Sequence, residues 1–198
     1  MTYGELKDFV LQLLNRYSVA GDRVPMSYND QADIAARIPA LVRDGLLYLA
    51  TSCRRLRETA PLASPTQVGS WRMYQLPDDC YQMTGGLLQP ADHGQIRRFR
   101  NYRLVGGRQV LVPADTKEPL LVEYFRYPNV PKGMPRDDDF LDCPPEAQTA
   151  LAYYVAAHLA MDDNNYVHTA LYSMFERKLL RMQEGTVAEC GLTEDCYE

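Results

Sequence analysis

The chain has 198 residues, of which 46% are apolar and 24% charged, with a net charge of −5. A chain of this length and composition buries its own core, so neither a disulfide framework nor a structural metal is required. Five cysteines with no Cys-x-x-Cys pair argue against a zinc knuckle. The apolar runs fall far short of the roughly 20 residues of a membrane span, and Glu5, Lys7 and Asp8 break any secretory-leader core.

These features lead us to expect a soluble protein made in a cytoplasm, while Cys190 and Cys196 are near enough in sequence to close a small loop. The charge is uneven: residues 131–198 hold 5 basic and 13 acidic side chains, whereas residues 1–60 hold 8 and 7. An acidic last third is a poor grip for nucleic acid and suits a basic protein surface.

In chain order, the first predicted element is a helix over Thr2–Tyr17. Thr2 and Glu5 form a capping box, and Leu6, Phe9, Val10, Leu13, Leu14 and Tyr17 recur at helical spacing. A second helix is predicted from Asn29 or Asp30 to about Ser52, kinked or broken at Pro39, with Arg54, Arg55 and Arg57 at its C-terminal end. From Pro61 to Pro131 short β-prone runs take over. They are Trp71–Gln75, Tyr81–Leu88, a hairpin of Ile96–Leu104 with Gln109–Val112 around Gly106-Gly107, and Leu120–Tyr127.

The proline-rich stretch 128–145, with Asp137-Asp138-Asp139, reads as a linker that wraps rather than packs. Pro144-Pro145 opens a third helix with Ala147, Leu151, Tyr154, Val155, His158 and Leu159 on one face. Asp162–Asn165 breaks it, and a fourth helix covers Tyr166–Gln183, ended by Gly185. The class is therefore α+β, mainly α. Residues 1–60 form the N-terminal helices, 61–131 an inserted small antiparallel β region, 132–185 the linker and C-terminal helical hairpin, and 186–198 an acidic tail.

Three constellations invite a functional reading. His158 and Asp162, four apart, fall on one helical face with Asp163 next, and suit a metal-dependent enzyme, but one imidazole and two carboxylates supply too few ligands alone. Arg97, Arg98, Arg100, Arg103 and Arg108 cluster on the predicted hairpin with Phe99 and Tyr102 between them, a pattern that serves a protein interface or a DNA backbone and equally a solvated edge. Tyr153, Tyr154, Tyr166 and Tyr172 line the C-terminal hairpin, where tyrosine's rigid ring and hydroxyl favour lateral packing. There is no phosphate-cradling glycine loop or nucleophile elbow, and no cofactor or metal is expected.

The order of parts resembles the head-to-tail adaptor, or head-completion, proteins of tailed bacteriophages. Leu121–Pro128 is similar to the family's last strand. Pro145-Glu146-Ala147 leading through Tyr153–Leu159, and Leu171–Met182 beyond Asp162-Asp163, resemble its helical hairpin. Thr2–Tyr17 followed by Tyr28–Asp33 resembles its N-terminal helices.

The resemblance implies a structural, non-enzymatic virion protein at the head–tail junction. It implies a ring, usually of twelve copies, between the portal and a tail or nozzle protein, with double-stranded DNA passing through its channel without sequence specificity and no membrane contact. It makes the tail, with Glu189, Cys190, Leu192, Glu194 and Tyr197, the candidate portal-docking arm. A nozzle or gatekeeper tail protein of the same build is the alternative.

Overall fold

The computed structural model describes residues 1–17, 28–53, 55–90, 95–117, 119–130, 134–161 and 164–191, with side chains left undescribed at 15–17, 28–33 and 183–191. The chain divides into two compact units, Met1–Arg54 with Pro128–Glu198, and Arg55–Tyr127.

The first unit holds helices α1 (Tyr3–Tyr17), α2 (Tyr28–Ser52), α3 (Pro145–Ala160) and α4 (Asn165–Gly191). The capping box forms: the Thr2 amide donates to Glu5 Oε2 at 2.9 Å and the Glu5 amide to Thr2 Oγ1 at 3.3 Å. Leu6, Val10 and Leu13 then bury the stripe of α1.

Of the kink or break expected at Pro39, the break does not occur, since α2 is one continuous helix. An interior proline costs about 3 kcal/mol. Ile38, Val42, Leu46 and Leu49 are buried on the same helix, each contributing roughly 1.5–3 kcal/mol, which outweighs that cost. Nor do Arg55 and Arg57 close α2. Its last turn holds no basic residue, Arg54 lies outside the described residues, and Arg55 and Arg57 belong to the other unit.

Helix α3 is the hub, packing against α1, α2 and α4. It is buried nearly all round, at Ala147, Ala150, Leu151, Ala152, Tyr154, Val155, Ala156, Ala157, Leu159 and Ala160. The alanines let three neighbours approach closely. Helix α4 is started by Asn164, whose Oδ1 accepts from the amides of Tyr166 (3.1 Å) and Val167 (3.2 Å), as an N-cap residue does.

Gly185 does not end this helix, which continues to Gly191. One glycine costs only about 1 kcal/mol against alanine, too little to stop a helix already propagated into Thr186–Glu189. The segment beyond the helix is thus shorter than Thr186–Glu198, and residues 192–198 lie outside the described residues.

The predicted linker packs. The Tyr3 amide donates to the Asp139 carbonyl (2.8 Å) and the Gly4 amide to the Asp137 carbonyl (2.9 Å). The Asp137 carboxylate also meets Lys7 Nζ at 2.6 Å. The acidic run therefore satisfies the orphan amides at the start of α1 and places negative charge against its positive end.

The second unit is all β, with strands β1 (Leu56–Pro61), β2 (Thr66–Val68), β3 (Trp71–Gln75), β4 (Cys80–Pro90), β5 (Ile96–Phe99), β6 (Arg103–Val105), β7 (Gln109–Pro113) and β8 (Leu121–Arg126). These form two antiparallel sheets, β1-β8-β4-β5 and β2-β3-β7-β6, rather than the single small sheet expected. The first strand begins at Leu56, ahead of Pro61. Leu87, Val122 and Tyr124 of one sheet share a core with Tyr74, Val110 and Val112 of the other.

The predicted hairpin around Gly106-Gly107 survives only as β6–β7, both glycines taking positive φ (58° and 74°) as a tight hairpin turn demands. Ile96–Phe99 goes to the other sheet, as β5. The cause lies in Phe99 and Tyr102, both of which pack on the core. A continuous strand would send residues three apart to opposite faces, so the chain must leave strand geometry between them.

Tyr124 donates its hydroxyl to Asp79 Oδ1 at 3.2 Å. Burial, then the Asp79 charge, pushes its pKa up to about 12, above the ordinary value of about 10. The folded value is the higher one, so the interaction contributes stability that is fully present below about pH 10 and lost as pH rises through about 12. In an alkaline absorbance titration, a subset of the tyrosines should ionise late, together with loss of the sheet signal. All phenols ionising together near pH 10 with the fold intact would contradict this burial.

Candidate interaction surfaces

The five hairpin arginines fall into two groups. Two are anchored. The Arg103 guanidinium lies 5.1 Å from the Trp71 ring centroid. Arg108 donates to the Asp78 carbonyl (2.7 Å) and the Pro77 carbonyl (3.4 Å), with the Asp78 carboxylate 3.9 Å away, and so fixes the turn before β4. The other three are exposed. Arg97 and Arg98 stand on β5, an edge strand, and Arg100 follows it. Among the described residues none of these three has an ion-pair partner. The structure thus spreads the predicted cluster over two sheets and the segment between them.

The four tyrosines also separate. Tyr166 is 81% exposed at the start of α4, held there by the Asn164 cap. Tyr153 is half-buried, edge-on to Phe9 at 6.1 Å and under Lys178 Nζ at 5.4 Å. Tyr172 is half-buried among His158, His168 and Phe175. Tyr154 is committed to the interior: it stacks with Tyr48 at 6.1 Å, meets Phe175 edge-on at 5.2 Å, and donates its hydroxyl to Asp44. Burial first, then that hydrogen bond, raises its pKa.

His158 belongs to the same aromatic group. Its Nδ1 lies 2.8 Å from the Tyr154 carbonyl, and His168 Nδ1 lies 2.9 Å from the Ala157 carbonyl. A carbonyl only accepts, so each Nδ1 carries a proton; the His158 bond stays within α3, while the His168 bond ties α4 to α3 through the backbone. Asp162 and Asp163 lie outside the described residues, as do Leu192, Glu194 and Tyr197. Glu189 and Cys190 sit on the last turns of α4. Among the described residues no group of His, Cys, Asp and Glu is placed to hold a metal, and no helix is long and apolar enough to cross a membrane.

Sequence reasoning missed two surfaces. In the β unit, Arg55 and Arg57 lie 4.9 and 5.6 Å from the Phe125 ring centroid. Tyr81 stacks on Phe125 at 6.1 Å and meets Tyr127 at 5.1 Å. The Arg-Leu-Arg spacing at 55–57, one strand face with two arginines, was the available signal. In the helical unit, Tyr3, Pro39, Val42, Leu46, Val130 and Leu141 line a shallow apolar groove, and Phe140 on its wall is 82% exposed.

Arginines stacked on rings, exposed aromatics fixed by caps, and open sheet edges are the means by which a protein works through contacts with other macromolecules. The class is that of a structural interaction protein. The family model described as SU10 adaptor protein matches residues 1–189, spanning both units. The chain belongs to the SU10 adaptor protein family: it is a structural adaptor of a phage and a component of the virion, not an enzyme. No curated protein matches it.

Proposed function

We propose that this adaptor forms a ring, of twelve copies by the family's pattern, that joins the portal of the head to a tail or nozzle protein and lets double-stranded DNA pass through its channel without sequence specificity. The observation that carries this reading is the family match over residues 1–189, which takes in the helical unit and the β unit together. The helices Met1–Arg54 and the hairpin from Pro145 are the ring-building core, and the β unit is the inserted module.

Tyr166, with Tyr153 and Tyr172 partly accessible, supplies lateral contact. Tyr154 acts only by holding α3 in place. The acidic end, with Glu189, Cys190, Leu192, Glu194 and Tyr197, is the portal-docking arm. Arg97, Arg98 and Arg100 face a partner or the DNA path, while Arg103 and Arg108 shape the β unit. Weak contacts repeated around a closed ring add up, so the isolated chain is expected to be monomeric or weakly associated.

Electron microscopy of the chain mixed with its portal is the test. A ring seated on the portal's tail-side face is expected. A chain that ignores the portal and binds only at the distal end of an assembled neck would replace this reading with that of a nozzle or gatekeeper. A tight dodecamer in light scattering without the portal would contradict the assembly order alone.

A further inference from the structure

Strand β5 ends its sheet, so among the described residues one row of its backbone amides and carbonyls has no strand beside it. Its register with β4 pairs Phe99 with Leu87, Arg98 with Leu88, Arg97 with Gln89 and Ile96 with Pro90. Alternation places Phe99 and Arg97 on one face and Ile96 and Arg98 on the other. Phe99 packs on the core, while Ile96 is 61% exposed. Each face of the edge therefore offers one arginine, and the face of Arg98 adds the exposed Ile96.

An open edge of this kind accepts an extended peptide as an added strand, with backbone bonds giving affinity and alternate side chains giving selectivity. Residues 192–198 read Leu-Thr-Glu-Asp-Cys-Tyr-Glu, with three acids and no basic group. In an extended strand Leu192, Glu194 and Glu198 fall on one side and Asp195 and Tyr197 on the other. Both sides of this segment thus match both faces of β5 in charge, and one of them meets the exposed Ile96. Seven residues reach at most roughly 25 Å, and the four-residue edge needs about 13 Å.

We infer that the edge of β5 is an acceptor for the acidic segment 192–198 of a second copy, added as a fifth strand and held by Arg97, Arg98 and Arg100. The opposed arginines favour a strand over a duplex as the occupant. Arg97 and Arg98 project to opposite faces, so one phosphate backbone laid on either face meets only one of them, whereas a strand added at the edge meets both.

A second copy is favoured over the same chain because a ring needs a contact between neighbouring subunits, which the arm of one and the β5 edge of the next supply. Exchange in trans makes a head-to-tail contact of the type that closes rings. This part rests on the ring reading. It adds a second partner for the arm, the neighbouring subunit, to the portal proposed above.

The test is the concentration dependence of self-association of the full-length chain by sedimentation, without portal. Circular dichroism serves as a check that the exposed substitutions leave the fold intact. Arg97→Glu with Arg98→Glu should weaken association by about tenfold, and so should Glu194→Lys with Asp195→Lys. Combining all four in one chain should restore it, because the swapped charges again oppose each other.

Association that ignores both pairs overturns the inference, as does a wild-type chain that stays monomeric at every concentration. So does an arginine pair that leaves association unchanged while abolishing binding to a DNA duplex. The portal experiment is independent. A chain that exchanges arms yet ignores the portal sinks the functional reading alone, and a chain that seats on the portal without arm exchange sinks only this inference.

Discussion

Phe175→Ala is expected to lower the unfolding free energy by about 3–5 kcal/mol, a large part of the roughly 5–15 kcal/mol that a domain has. Phe175 is 1% exposed. Its ring meets Tyr154 at 5.2 Å, Tyr172 at 5.7 Å and Tyr48 at 6.0 Å. These partners come from α3, α4 and α2, so one side chain joins three of the four helices.

Truncation removes the buried ring and also leaves a void that Tyr154 cannot fill, because its hydroxyl is tied to Asp44. Denaturant unfolding followed by the helical signal measures the loss. Phe175→Leu should retain most of the stability, since it keeps apolar volume while losing only ring-to-ring contact. A loss below about 1 kcal/mol for Phe175→Ala would show that the aromatic group is not the centre of the helical core.

The helical half was legible because its signals are local. The Thr2/Glu5 box, the Leu6–Val10–Leu13 stripe and Pro144-Pro145 before α3 each act within a turn or two, and each predicts what forms. Where sequence reading went astray, a long-range gain overrode a local cost. Pro39 and Gly185 are both helix-breaking residues by propensity, yet α2 and α4 run through them.

The β half was legible only as strands. Which strand joins which sheet depends on Phe99 and Tyr102 reaching one core, a fact set by tertiary packing. The same limit applied to the surfaces. Arg97 and Arg103 look alike in sequence, and only the fold shows Arg103 against Trp71 and Arg97 on an open edge. Tyr154 and Tyr166 likewise look equivalent until one is found buried and the other 81% exposed.

Gly45 gives the second large effect, and there the sign is the point. On propensity alone, Gly45→Ala within α2 should gain about 1 kcal/mol. The packing argues the reverse. A Cβ on Gly45 would stand 2.5 Å from Leu151 Cδ1 and 2.9 Å from Tyr154 Cδ1. Leu151 is fully buried and Tyr154 is tethered through its hydroxyl, so neither yields without moving α3.

Overpacking of this kind costs about 1–3 kcal/mol. Gly45→Ala should therefore come out neutral to about 2 kcal/mol destabilised, and Gly45→Val should be worse, at roughly 3 kcal/mol or more, since it adds branched volume at the same contact. If α3 holds its place because Tyr154 is fixed, Tyr154→Ala should relieve much of the Gly45→Ala penalty in a double-mutant cycle. A stabilised Gly45→Ala chain would mean that α2 and α3 are free to separate, and the close alanine-lined packing of the hub would no longer explain the helical unit.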